Sequence, residues 1–324
     1  MTNHRVYILG GAQSDFERNW HKEGKNFVAM ISEVVTDALE DTGLTFNEIA
    51  QMNDDRAVAG YMANFAAEFY LQQGHLNAFM NEVDDAFIGM PMIRYESACA
   101  SGSAAIYAAL HQIGRTADLG IVVGLEMMKT LDSIQGAQAL GAAAYYEQES
   151  RGRKFPFPEL FGKLAIDTVR KYGLDENRYM DNLAIIAAKN YGNARRNPNA
   201  QTRKWFMDEA HARARGTSYN GIIGAGLAVS DCSQITDGAV CLLLCSESYA
   251  KRYCMGRGVS FSELPYIAGS GFRIAPVTYS GKISHSTDHA NILPWTQRAI
   301  EDAYRMAEVS ITDIDVIETH DCFT

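Results

Sequence analysis

The chain is predicted to adopt an α/β fold, and three observations carry that prediction. Strand-like apolar runs alternate with segments of helical periodicity along the chain. A stretch almost free of charge, Ser101 to Ile113, lies between two of those runs, as expected of a helix buried against a sheet with both faces covered. Hydrophobic residues make up 47% of 324 and charged residues 21%, enough apolar side chain for a sizeable core.

The elements follow in order. Arg5 to Gly11, "RVYILGG", reads as a strand. Phe27, Val28, Met30, Ile31, Val34, Val35, Ala38 and Leu39 fall on one face of a helix that Gly43 stops. "AVAGYMANF", "PMIRYES" and "LGIVVGLEMM" are strand-like and flank the charge-free helix. From Thr130 to Ile222 polar helices dominate, with the aromatic-proline turn "KFPFPEL", so this stretch is expected to be an inserted subdomain. Strand-like runs return at "AVCLLLCSE" and "LPYIAGSGFRI". Pro294 suits a first helical position, and its helix is expected to reach Met306. A last strand, "DIDVIET", leads into "HDCFT".

An internal echo joins the two ends. "ALEDTGLTFNEI" (Ala38 to Ile49) and "AYRMAEVSITDI" (Ala303 to Ile314) share a gapless pattern: a helix end, then an apolar residue, Thr or Ser, an apolar residue, a polar-acidic pair and Ile, with a strand expected after each. The echo predicts two similar halves, of which the second is cut short.

Composition excludes several functions. A net charge of −10 opposes nonspecific nucleic-acid binding as the main activity. No run of about 18 apolar residues is present for a membrane span. The N-terminus lacks a secretory signal pattern, so a cytoplasmic protein is expected. The charge is uneven: Arg151 to Arg215 holds fourteen Lys and Arg against seven Asp and Glu, a local excess suited either to a phosphate-bearing ligand or to a solvated helical surface. "ILGGAQSDF" does not fit a dinucleotide-binding glycine pattern.

Six cysteines occur, with neither disulfide-scaffold density nor paired CxxC units. Cys241 and Cys245 read as buried strand filler, and Cys232, Cys241, Cys245 and Cys254 lack the close ligand pairs of a zinc site. His285, Asp288 and His289 in "SHSTDHAN" read as a polar loop, and no metal is expected. Cys99 differs. It ends an extended run and precedes Ala100, Ser101, Gly102, Ser103 and Ala104, small residues that leave room for a substrate. At a helix N-terminus its thiol pKa would fall, and nearby N–H groups could hold an oxyanion. Core filler is the other reading of Cys99 on local pattern. His320 and Cys322, on a loop after a strand, suit oxyanion binding and proton transfer.

"ACASGSAA" (98–105), "NPNAQ" (197–201), "SDCSQITDGA" (230–239) and "HDCF" (320–323) occur in an order that resembles the thiolase superfamily, in its sterol-carrier-protein-2 branch. The resemblance implies an α-β-α-β-α layered fold of two βαβ-type halves. The first half would span 1–129 and 223–265, the inserted loop subdomain 130–222, and an incomplete second half 266–324. It implies that Cys99 takes an acyl group from a thioester, that His320 helps hold the thioester oxygen, and that Cys322 moves the α-carbon proton in Claisen chemistry. Ser233 would contact coenzyme A, whose phosphates the basic segment would meet. The ligands would be acyl-CoA and coenzyme A as substrates, with no permanently bound cofactor. A homodimer is expected by analogy. The family's Gly-His-Pro loop, whose histidine activates the nucleophile, is absent from this sequence. The expectation is therefore a longer native chain, a partner that supplies the rest, or a chain inactive alone. The alternatives in function are a non-catalytic acyl-CoA-binding subunit and a CoA-linked carbon–carbon lyase.

Overall fold

A computed structural model describes residues 5–324. The chain enters through β1 (Val6–Gln13) and then α1 (Phe27–Thr42), which Asn26 caps by accepting the Ala29 N–H at 3.0 Å. Gly43 closes α1 in the left-handed conformation, and Thr45 and Glu48 form a reciprocal capping box that starts α2 (Phe46–Asp54). Next come β2 (Val58–Ala63), the short α3 (Ala67–Tyr70), β3 (Met92–Tyr95), α4 (Ser101–Gln112) and β4 (Leu119–Met127). Helices α5 (Ser133–Leu140), α6 (Pro156–Tyr172), α7 (Glu176–Ala194) and α8 (Glu209–Arg213) follow, with the hairpin β5 (Ile222–Gly224) and β6 (Leu227–Ala228). The chain returns through β7 (Asp237–Ser246), α9 (Glu247–Arg257), β8 (Tyr266–Ile267), α10 (Tyr279–Ser286) and α11 (Pro294–Ala307).

Six strands form one sheet in the order β3-β2-β4-β7-β1-β8, with β2 parallel to β3 and β4 and the remaining pairs antiparallel. β4 and β7 are neighbours, so everything between them leaves and rejoins the sheet at one place. Side chains alternate between two cores. Leu119, Ile121, Val123 and Leu125 of β4, with Cys241, Leu243 and Cys245 of β7, face α1 and α9. Val122 and Leu244 face the other way, with Ala105 and Ala109 of α4. This period of two is what a pleated strand buried on both faces requires.

Three expectations need correction. α4 is not buried all round: Ser101, Ala105 and Ala109 form one buried stripe, while Gly102 and Ser103 are exposed. Its outer side meets only a thin cover, including Phe272, which stacks on Tyr107 at 5.4 Å. The run "LPYIAGSGFRI" forms a strand only at Tyr266–Ile267. Beyond it the backbone presses side-on against α11, so closely that a Cβ at Gly271 would lie 1.8 Å from the Ala299 carbonyl oxygen. "DIDVIET" pairs with no strand among the described residues, and Val316 and Ile317 are 79% and 63% exposed.

The echo has a structural counterpart. Glu308 closes α11 in the left-handed conformation, as Gly43 closes α1, and the Asp313 carboxylate accepts the Ser310 N–H at 2.8 Å as Glu48 accepts that of Thr45. No helix among the described residues is long and apolar enough to cross a membrane.

Candidate functional site

Cys99 sits on a tight turn between β3 and α4. Ala98 just before it has φ +48°, a left-handed conformation that costs a non-glycine residue about 1–2 kcal/mol. Ser101 holds that turn: its hydroxyl accepts the Ser97 N–H at 3.0 Å and donates to the Ala98 carbonyl at 2.7 Å. α4 starts two residues after Cys99, and its N-cap, Ala100, provides no side-chain cap. The Cys99 thiol is therefore displayed at an uncapped helix start, and it is exposed.

His320 and Cys322 come to Cys99 from the far end of the chain. The Cys99 and Cys322 sulfurs and a His320 ring nitrogen all lie within 4.8 Å of one another. Among the described residues this is the one grouping of His, Cys, Asp or Glu close enough to share a metal ion, although its donors are also those of an acyl-transfer site. His285, by contrast, bonds the Gly281 carbonyl at 2.8 Å within α10 and joins no such group. Cys241, Cys245 and Cys254 are buried, and burial pushes the Cys241 and Cys245 thiols up to about 12.

The 320–324 segment is held by main-chain pairing, although no strand precedes it. Ser233 N–H donates to the Cys322 carbonyl at 2.8 Å, Thr324 N–H donates to the Asp231 carbonyl at 3.0 Å, and Phe323 pairs with Cys232. Phe161 of α6 stacks on Phe323 at 4.2 Å, and Asn190 of α7 bonds the Asp321 carboxylate. Asp231 is fully buried; it accepts the Ala228 N–H at 2.7 Å and pairs with Arg215. Asp237, also buried, accepts the N–H groups of Met128 and Lys129 at 2.8 Å and of Trp20 at 3.2 Å. In the "NPNAQ" stretch, Gln201 donates to the Ile235 carbonyl at 2.8 Å and accepts from Thr236. Both aspartates of "SDCSQITDGA" are thus braces that set the position of the loop under His320 and Cys322.

The two cysteines differ electrostatically. Cys99 is lowered to about 6, first by its hydrogen bond with Cys322, then against opposing burial by the charge and hydrogen bond of His320. The main-chain N–H of Cys99 itself, on the turn into α4, lowers the thiol further. Cys322 is pushed well above the usual thiol range by its hydrogen bond with Cys99, by burial and by the charge of Cys99, with the Ser233 hydroxyl working the other way. At neutral pH the pair holds a thiolate at Cys99 and a thiol at Cys322. Ser233 thus lies against Cys322.

The sequence reasoning passed over Glu126. It is the lone charge in "LGIVVGLEMM", at the end of β4, and it lines the same cavity as Cys99 and His320. Its Oε1 accepts the Phe65 N–H at 2.5 Å, and burial pushes its carboxyl up to about 7. A carboxylate inside an apolar strand run was the available signal.

Much of the basic segment is already paired. Arg203 meets Asp15 and Glu17, Arg215 meets Asp231 and Arg213 meets Asp181, while Arg195, Arg196, Lys163 and Lys189 remain exposed on the surface.

No protein-family profile matches the chain. It is 27% identical over 322 residues to the acetyl-CoA acetyltransferase of Methanothermobacter thermautotrophicus, covering 98% of this chain and 74% of the relative. This similarity, over nearly the whole chain, is to the thiolase superfamily. Solved structures carry the same thiolase-like fold. The Ltp2-ChsH2(DUF35) aldolase aligns with a TM-score of 0.71 at 16% identity, over 99% of this chain and 74% of that one. A monomeric SCP2-thiolase like protein type 1 from Mycobacterium smegmatis aligns with a TM-score of 0.65 at 18% identity, over 98% and 60%.

Proposed function

We propose that this protein is a thiolase-type acyltransferase that cleaves or forms 3-oxoacyl-CoA through an acyl-Cys99 intermediate. The observation that carries the reading is the convergence of Cys99, His320 and Cys322 within 4.8 Å, from positions more than two hundred residues apart.

In the condensing direction, the Cys99 thiolate attacks the carbonyl carbon of an acyl thioester. The carbonyl oxygen takes the developing charge, beside His320 and the start of α4. The carbon–sulfur bond to coenzyme A breaks, and coenzyme A leaves as a thiolate that takes up a proton. Acylation then changes Cys322. Its raised pKa stems first from the Cys99 hydrogen bond and partly from the Cys99 charge, and an acylated sulfur carries no charge. Cys322 becomes easier to ionise once Cys99 is loaded: its proton goes to the departing coenzyme A thiolate, and the Cys322 thiolate then takes the α-proton of a second acyl thioester. The resulting carbanion attacks the acyl-Cys99 carbonyl, a carbon–carbon bond forms, and the Cys99 thiolate is released. Cleavage runs the same steps in reverse. The exposed cations of segment 151–215 would meet the phosphates of coenzyme A, with 130–222 as the loop region over that site.

Intact-mass spectrometry after mixing with acetoacetyl-CoA tests the reading. An acetyl adduct on the wild type, absent in Cys99→Ser, is expected. No adduct on folded wild type would refute it and leave a thiolase-like acyl-CoA-binding subunit as the better account.

A further inference from the structure

The cavity beside Cys99 measures about 510 Å³, and its walls are mostly apolar, including Phe16, Ile106, Val122, Leu125, Val240 and Leu242. Three of its polar side chains are committed to the protein. Asn64 donates to the Leu125 carbonyl at 2.8 Å and accepts from Ala67 N–H and Arg94. Ser101 is spent on the Cys99 turn, and Thr236 bonds Gln201 and the Gln234 carbonyl. Glu126 differs from them: Oε1 takes the Phe65 N–H, but among the described residues the only bond to Oε2 is from the Ala66 N–H at 3.4 Å.

Burial raises the Glu126 carboxyl, and the neighbouring charges pull on it in both directions. Arg94 on β3 faces it, yet that guanidinium is tied to Glu68 on α3 at 2.8 Å and to Asn64. Tyr70, also on α3, feels its charge, and from the α4 side Cys99 adds a negative one, with His320 and Cys322 behind. A thiolate and a carboxylate in one low-dielectric cavity oppose each other, so an ionised Cys99 adds to burial in favouring the protonated carboxyl. A buried O–H with no close protein acceptor needs one from the ligand.

We propose that Glu126 sets the acyl specificity of this cavity, donating a hydrogen bond to a carbonyl or hydroxyl oxygen of an otherwise apolar acyl group and turning away acyl groups that end in a carboxylate. The inference rests on the acyl-Cys99 reading.

The test follows Cys99 acylation by intact mass, with Cys99→Ser as the blank and three donors: butyryl-CoA, 3-hydroxybutyryl-CoA and succinyl-CoA. Rates are compared as ratios between donors at pH 6 and pH 8.5, which cancels the changing thiolate fraction. In the wild type the 3-hydroxybutyryl to butyryl ratio is expected to fall at least about threefold with rising pH, as Glu126 ionises and loses its donor. Butyryl is expected to exceed succinyl by about tenfold or more, a gap that widens with pH. Glu126→Gln, which keeps a neutral donor, should give ratios that do not move with pH. Adducts with pH-independent ratios in the wild type would overturn the role of Glu126 and leave acyl-Cys99 standing, whether or not the variant folds. No adduct from any donor would overturn both.

Discussion

Replacing Cys322 by alanine removes the largest cause of the low Cys99 pKa, and its effect can be worked through. In the wild type Cys99 titrates at about 6 against an ordinary value of 9.0. At pH 7 that is roughly 90% thiolate, against about 1% for an unperturbed thiol. Alkylation rate alone would understate the change. A more basic thiolate is intrinsically more nucleophilic, with a Brønsted slope of about 0.4–0.5, so some fifteen- to thirtyfold is recovered over three pH units. The net loss of rate at pH 7 is then only about three- to sixfold, even if the whole perturbation vanished. The midpoint of the pH profile is the better measure. Iodoacetamide labelling of Cys99, followed by mass across pH 5 to 10, is expected to give a midpoint near 6 in the wild type. In Cys322→Ala it should move up by at least about one pH unit, with the His320 charge holding part of the depression. An unchanged midpoint would refute the assignment of the thiolate to its partner cysteine.

Other outcomes follow from the same geometry. Turnover in the thiolytic direction should fall with acid as Cys99 is protonated, with an inflection near pH 6; a profile flat to pH 5 would contradict a Cys99 nucleophile. His320→Ala should lower kcat by about 10²–10³, the usual cost of losing one oxyanion donor, while the Cys99 adduct still forms slowly. Asp231→Ala strands Arg215, leaves the Ala228 N–H without its carboxylate and removes the 3.2 Å bond from the Thr324 hydroxyl, so a loss of roughly 3 kcal/mol in urea unfolding is expected, with loss of turnover well below the melting temperature. Gly271→Ala places a Cβ on the Ala299 carbonyl and should detach the 268–274 segment from α11, which limited proteolysis would report as new cleavage there.

The local sequence determined most of the elements and their limits. A run such as "LGIVVGLEMM" must be a strand, because its residues alternate between two buried cores. α1 runs from Asn26 to Gly43 because those two residues satisfy its free ends. Cys99, His320 and Cys322 were legible as chemistry through their motifs, as was their link to a thioester. Three-dimensional packing decided the rest. The electrostatics of Cys99 depend on two residues more than two hundred positions away, and no local pattern carries a charge interaction across that distance. The helix end next to Cys99 was visible locally, whereas the partner thiol and the imidazole that also lower it were not. "DIDVIET" alternates well enough to be a strand, yet a strand exists only where a neighbour offers a ladder, and none does here among the described residues. Asp231 and Glu126 looked like ordinary acids in the sequence. One became a brace and the other a cavity carboxyl only because the fold removed each from water, and burial is a property of the assembled chain.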